Sequence, residues 1–350
     1  MKNILIISRD PSLSFRQTQL GNGVSDDRQF RFFINDFACE PDFVVVKSKA
    51  LREAHTFNVP RSHTILLTEE PYTVLEYPRG YYSQFGTVVS CQEQIKPYNG
   101  GLVHYAQAAV PWFVGVTFGK EGCQFTMDYA AMAAAKPQKE KLISVISSTK
   151  SFSSGHVDRI RFIQKLKERY GDSVDIFGHG FRPFDDKWSV LAPYKYHIVI
   201  ENSASQYYWT EKLADCYLAE AYPLYHGCQT IGEYFPREAY TPIDIRKPEE
   251  AFQIIDHTLA ANTYDAHTDV LHQAKQLVMD KYNVFNLIAG ECRAILAAQP
   301  SPQPTAPATT TLQPASKYFS LHNWWNYALG RTLCKLRGRQ YIVRMNAAKK

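Results

Sequence analysis

The chain has 350 residues, 45% hydrophobic and 21% charged, which gives it the mass for two ordinary cores and excludes a disordered polymer, a collagen-like repeat and a disulfide miniprotein. Lys and Arg outnumber Asp and Glu by 39 to 34, a formal +5. Residues 317–350 hold Lys317, Arg331, Lys335, Arg337, Arg339, Arg344, Lys349 and Lys350 and no acid, so this +8 tail leaves a mildly acidic −3 on residues 1–316 and net charge does not point to a basic, nucleic-acid-binding groove.

The N-terminus runs Met1-Lys2-Asn3, then Ile4-Leu5-Ile6-Ile7, before Ser8 and Arg9. Four apolar residues fall far short of a signal core or of the roughly 20 needed to span a bilayer, so the run reads as a first buried strand at 3–8. No later apolar run is long enough to cross a membrane. Further strands are expected at 43–46, 64–67 and 87–90, several of them unbroken Val, Ile and Leu, as in strands covered on both faces. The polar stretch Pro-Gln-Lys-Glu-Lys at 137–141 reads as a linker, dividing a first unit, 1–138, from a second, 139–298.

In the second unit, strands are expected at 142–147, 174–177, 196–200 and 223–225. Helices are expected between and after them. One at 157–170 places Val157, Ile160, Ile163 and Leu166 at spacing three, one at 211–221 is capped by Thr210, and one at 248–259 opens with Pro and two acids. Such alternation implies an α/β unit with a parallel sheet and helices on both faces, which binds ligands at the carboxyl ends of its strands. Beyond Ala298, residues 299–316 carry five prolines among Thr, Ala and Gln and read as an extended tether. In the tail, Leu321, Trp325, Ala328, Leu329 and Leu336 share one helical face, but Lys335 and Arg339 project near it and Gly330 and Gly338 weaken the helix, which argues against a single ideal amphipathic helix. With its cations, this segment is expected to meet an anionic membrane surface, with a disordered tail or one packed back on the body as the alternatives. The seven cysteines are dispersed and never form Cys-x-x-Cys, as expected of reduced thiols in a cytosolic protein.

The strand at 196–200 runs into Glu201-Asn202-Ser203 and then Tyr207-Tyr208-Trp209-Thr210-Glu211-Lys212. A loop at a strand's carboxyl end leading into a helix suits a nucleoside diphosphate. Free N–H groups and Lys212 meet phosphate oxygens, Glu211 accepts from ribose hydroxyls, and Tyr208 offers a ring and a hydroxyl. The same residues also read as an N-cap with a favourable first-turn acid. Arg159, in the first turn of the preceding helix, would point to the same edge, or sit on the surface as a solvated charge.

The run Tyr194-Lys195-Tyr196-His197-Ile198-Val199-Ile200-Glu201-Asn202-Ser203, then Tyr208-Trp209-Thr210-Glu211-Lys212, then Pro223-Leu224-Tyr225-His226-Gly227, resembles the donor-site signature of the family 10 glycosyltransferases, the α-1,3/1,4-fucosyltransferases. Tyr196 and Ile200 stand where that family usually has Phe, and the resemblance runs from about 142 to 245. It implies a GT-B architecture, two Rossmann-like domains facing a cleft, with the acceptor domain at 1–138 and the donor domain at 139–298. It also implies GDP-fucose as donor substrate, with no required cofactor or metal. Carried over residue by residue, it puts Arg159 and Lys212 on the diphosphate, Glu211 on the ribose, and Tyr208 and Asn202 around the donor. The family's catalytic base is a strand-end Glu in the first domain. Here Thr68-Glu69-Glu70-Pro71 follows the strand at 64–67, and the Glu-x-Pro spacing selects Glu69, with Glu70 as its adjacent twin.

An inverting transfer needs one carboxylate opposite the leaving diphosphate to take the acceptor proton. The chain has no Asp-x-Asp, no His-Glu-x-x-His and no paired Cys/His spacing, so no dedicated metal site is expected, and the hydrolase elbow and P-loop motifs are absent. The expected activity is inverting transfer of fucose to a GlcNAc-type hydroxyl of a bacterial surface glycan such as lipopolysaccharide. The acceptor would be a glycan or lipid-linked glycan met at the cytoplasmic face of the membrane. The alternatives are transfer of another nucleotide-activated sugar and a non-catalytic nucleotide- or glycan-binding protein.

Overall fold

The computed structural model describes residues 1–298, 308–319 and 321–347, with side chains of the last helix described at 329, 331–342 and 345. The first lobe is built on strands β1 (Lys2–Ile7), β2 (Phe30–Ile34), β3 (Phe43–Lys47), β5 (Thr64–Leu67), β6 (Thr87–Ser90) and β7 (Leu102–Tyr105), with a short β4 (His55–Phe57) outside the sheet and a one-turn helix α1 (Arg79–Tyr82). The sheet is parallel throughout, in the order β2-β1-β3-β5-β6-β7. Alternation along its strands splits the apolar residues into two cores. Leu5, Val44, Val46 and Leu66 face Tyr81 and Phe85, whereas Ile4, Ile6, Phe43, Val45 and Ile65 face the other way. Both faces are buried, which is why these strands read as unbroken apolar runs.

A hairpin of β8 (Val116–Gly119) and β9 (Gly122–Phe125) and a helix α2 (Tyr129–Ala134) lead to the second lobe. There β10 (Lys141–Ile146), β11 (Asp175–Phe177), β12 (Tyr194–Ile200), β13 (Tyr222–His226) and β14 (Thr241–Pro242) form a parallel sheet ordered β11-β10-β12-β13-β14. Between the strands run α3 (Ser154–Tyr170), α4 (Lys187–Leu191) and α5 (Glu211–Leu218); after them come α6 (Pro248–Ala260), α7 (Thr263–Ala266) and α8 (Thr268–Gln276). The periodic Val157, Ile160, Ile163 and Leu166 of α3 are its buried stripe.

Residues before the boundary expected at 138 also pack on the second lobe. Trp112, Val114 and Met132 belong to the core of the second lobe, because two carboxylates of that lobe hold the chain there. Asp215 accepts from the Phe113 and Val114 N–H groups at 2.8 and 3.1 Å, and Asp186 from Gly115 N–H at 2.9 Å.

Likewise, residues before the boundary expected at 298 pack on the first lobe. Helix α9 (Val284–Ala298) buries Val284, Phe285, Ile288 and Cys292 against the first lobe. Residues 1–138 supply only the short α1 and α2, so the sheet face carrying Ile4, Ile6 and Val45 takes its cover from this distant helix.

The extended tether is corrected in part. Residues 299–307 lie outside the described residues, but β15 (Thr310–Leu312) pairs antiparallel with β4 and buries Leu312 in the first lobe.

The described part of the tail packs on the body. It forms one helix, α10 (Leu321–Ala347), lying along α3. Gly338 is where it touches: a Cβ there would stand 2.2 Å from Ser151 Cβ, so the glycine that costs helix propensity permits the closest approach. Lys349 and Lys350 lie outside the described residues. Among the described residues, no helix is long and apolar enough to cross a membrane. All seven cysteines are free thiols.

Candidate active site

A cavity of about 560 Å3 opens at the carboxyl ends of β10 and β12, and Arg159, Glu211 and Lys212 all line it. Helix α3 starts at Ser153, whose hydroxyl accepts from His156 N–H, and its Gly155 sits directly on the Asn202 carbonyl, where a Cβ would come to 2.0 Å. That contact sets Arg159 over the loop after β12. Its guanidinium donates to Asn202 Oδ1 at 2.9 Å and to Ser148 Oγ at 3.1 Å, while its buried Nε has no partner. Arg159 is 5% exposed, and none of its hydrogen bonds goes to a carboxylate. Burial lowers its pKa to about 10. A buried cation with only neutral partners retains most of its desolvation cost, and an incoming anion is what offsets it.

Lys212 is differently placed. Its Nζ lies 3.0 Å from Thr210 Oγ1, 3.2 Å from Glu211 Oε1 and 3.4 Å from Glu201 Oε2. Burial pulls the ammonium down, but Glu211 and Glu201 outweigh it and hold its pKa above the ordinary lysine value. The converse holds for Glu211: burial would raise it, yet Lys212 and Lys187 bring it to about 2, a fixed anion at the first turn of α5.

Tyr208 is buried against Cys91 and Ala108 of the first lobe, so its ring closes the contact between lobes. Tyr207 beside it stacks on Tyr105 at 5.3 Å.

Several supporting residues escaped the motif reading. Glu201 is 1% exposed and takes both Thr210 N–H and Thr210 Oγ1 at 2.8 Å, fixing the cap that aims Glu211 and Lys212. It lies within the run quoted from the sequence, and the signal is a carboxylate directly after the apolar Ile198-Val199-Ile200. Asp215, one turn after Glu211, holds Lys187 at 2.7 Å. Nothing in sequence proximity ties Lys187 to the site. Arg16, from the loop after β1, donates to the Trp112, Val114 and Met127 carbonyls at 2.6, 3.1 and 2.8 Å, pinning the crossing between lobes.

Glu69 stands just past β5, with its carboxylate 2.5 Å from the Nζ of Lys47, a wholly buried side chain that also donates to the Ala109 carbonyl at 2.9 Å. Burial raises the Glu69 pKa, opposed by Lys47. Burial raises Glu70 too, and its charged neighbours are Lys212, Glu211 and Lys150 on the far lobe and Glu69 beside it. The adjacent acids thus face different surroundings, as successive strand-end residues do. Among the described residues no group of three His, Cys, Asp or Glu is placed to hold a metal ion.

Residues 136–268 match the model described as glycosyltransferase family 10 (fucosyltransferase), C-terminal. This segment is similar to the family's C-terminal domain. Arg159, Asn202, Tyr208, Glu211 and Lys212 all lie in the matched segment, and Glu69 lies outside it. A crystal structure of an alpha1,3-fucosyltransferase with GDP is similar to the chain at 16% identity and a TM-score of 0.50. One with GDP-fucose is similar at 14% and 0.48, each match covering 85% of this chain and 91% of the other. At that identity the likeness is one of fold, two parallel-sheet lobes facing a cleft in the GT-B manner. No curated protein matches the chain.

Proposed function

We propose that the protein transfers fucose from GDP-fucose, with inversion, to a hydroxyl of a GlcNAc-type sugar in a bacterial surface glycan such as lipopolysaccharide. The observation that carries this reading is the buried Arg159, with neutral partners only, on the wall of a cavity in the segment similar to the family 10 domain. In this reading the GDP diphosphate supplies the missing anion, held by Arg159 and Lys212. Glu211 receives the ribose hydroxyls, and Asn202 and Tyr208 fix the loop around the donor.

As the bond to the sugar lengthens, negative charge grows on the departing diphosphate, and two fixed cations stabilise it without reorganising. Glu69, across the cleft, takes the acceptor proton; burial raises its pKa and with it its strength as a base, and Lys47 opposes that rise. Lys47 holds the Glu69 carboxylate in place. Glu70 is the second reading for the base, favoured by its charged neighbours on the donor lobe.

The protein would work at the inner face of the cytoplasmic membrane. Leu329, Leu333 and Leu336 of α10 are exposed, at spacings of four and three, with exposed Lys335, Arg337 and Arg339 flanking them. This supports contact with an anionic leaflet through the outward face of a docked helix.

The test is a donor panel with purified protein and an N-acetylglucosamine-terminated acceptor. GDP release confined to GDP-fucose is the expected result, and release from another nucleotide sugar with GDP-fucose inert would replace the donor.

A further inference from the structure

A second, smaller cavity of about 190 Å3 lies between the lobes, outside the donor cavity. Its first-lobe wall is Tyr72, Gln92, Glu93 and Gln94, and its second-lobe wall includes Gln206 and Gln229. The position is telling. Gln92 donates to the Glu70 and Leu75 carbonyls, both at 2.7 Å, so it holds the strand-end loop that carries Glu69. Ser203, on the opposite wall, follows Asn202, the partner of Arg159. The cavity therefore sits beside the two elements that a transfer must bring together.

Its chemistry differs from that of the donor cavity. The donor cavity is walled by Arg159, Lys187 and Lys212, whereas the small one has no Lys, Arg or His on its wall and one carboxylate, Glu93. Three side-chain amides, Gln94, Gln206 and Gln229, present both donors and acceptors, the pairing that vicinal hydroxyls require, with Gln206 Nε2 3.4 Å from Gln229 Oε1. Tyr72, 44% exposed, adds a ring on which the C–H face of a pyranose can lie. Gln92, 2% exposed, keeps an Oε1 with no hydrogen-bond partner. Both walls are held in place. Ser205 accepts from Gln229 N–H at 2.9 Å, and the Gln206 carbonyl accepts from Thr230 Oγ1 at 2.5 Å. A volume below the roughly 300–1,000 Å3 of drug-sized pockets suits one ring.

We infer that this cavity receives the acceptor sugar, and that the ring it takes is uncharged. The inference rests on the transfer reading above, whose GlcNAc-type acceptor is itself uncharged, and adds the subsite and the residues that line it. An acidic sugar would meet Glu93 with no cation to compensate it.

The experiment uses the full-length protein, with N-acetyllactosamine and a glucuronate-terminated disaccharide as probes and Tyr72→Ala and Gln229→Leu as variants. Expected are an acceptor KM raised about tenfold in each variant, an unchanged KM for GDP-fucose, unchanged acceptor-free GDP-fucose hydrolysis, and no transfer to the glucuronate probe. A raised donor KM with an unchanged acceptor KM, or equal use of both probes, would overturn the inference. Saturation-transfer NMR of N-acetyllactosamine on GDP-loaded protein reads the cavity without turnover. Loss of signal in Tyr72→Ala supports the subsite and full retention removes it. Failure of the wild type to release GDP from GDP-fucose would count against the donor reading alone, since the NMR arm does not depend on it.

Discussion

Glu201, Asn202, Tyr208, Glu211 and Lys212 fall within 12 consecutive residues, in one loop between a strand and the helix that follows it. Across the cleft, Glu69 is gathered with Lys47 and the Ala109 carbonyl from the ends of separate strands and a later loop. The lobes also handle charge differently. The second surrounds Lys212 with carboxylates yet leaves Arg159 on neutral oxygens, whereas the first buries one ammonium directly against one carboxylate. A compensated ion pair serves position; an uncompensated cation awaits a ligand.

The largest expected effect is on the first lobe. Glu69→Gln should cut transfer by about 100- to 10,000-fold while leaving GDP affinity intact in a calorimetric titration. If Glu70→Gln abolishes transfer and Glu69→Gln does not, the base moves to the twin. On the second lobe, Arg159→Met should weaken GDP by about ten- to a hundredfold, the worth of one or two charge-assisted hydrogen bonds. The thermal midpoint of the nucleotide-free protein should hold or rise, because an uncompensated charge has been removed. A fall in both would make Arg159 structural.

Lys47→Met sharpens the contrast through pH. The Glu69 carboxyl already titrates above its ordinary value because of burial, and Lys47 is what opposes that rise. Activity requires the carboxylate, so it fades as pH falls through that pKa. Removing Lys47 should move this acid limb to higher pH, and an unmoved limb would detach Lys47 from the base. The smallest effect lies outside both halves of the site. Leu333→Asp should reduce binding to anionic vesicles by about tenfold and leave soluble-acceptor turnover unchanged. Deleting 299–350 is a poorer test, since it strips β15 and α10 from the two lobes.

These contrasts also explain what could be read from the residues alone. The strands at 43–46 and 64–67 and the α3 stripe are local patterns, and each is found within a residue or a few of its expected place. The edge strand β7 was missed because its Leu102 and His104 are exposed, giving no apolar run. Lys47 is hidden differently: a lysine closing a Val run reads as the end of a strand, and only the fold brings Glu69 to it. The resemblance to family 10 is legible because its loop is contiguous. Lys187 was not, because α4 reaches the cavity from elsewhere in the chain. Gly338 was read as a weakness of the tail helix, and the close approach to Ser151 that it permits is visible only once α3 is in place.

The path of the chain between lobes bears on how the protein is made. The sheet face carrying Ile4, Ile6, Phe43, Val45 and Ile65 is complete in sequence by β7, yet Val284, Phe285, Ile288 and Cys292 that cover it come near the other end. At roughly 5–20 residues per second, the ribosome leaves that face uncovered for on the order of 10–40 s. The lobe synthesised first is therefore covered on this face only after the donor-lobe sheet has been produced, and during that interval the nascent chain presents a Phe- and Ile-rich surface for which chaperones and other nascent chains compete.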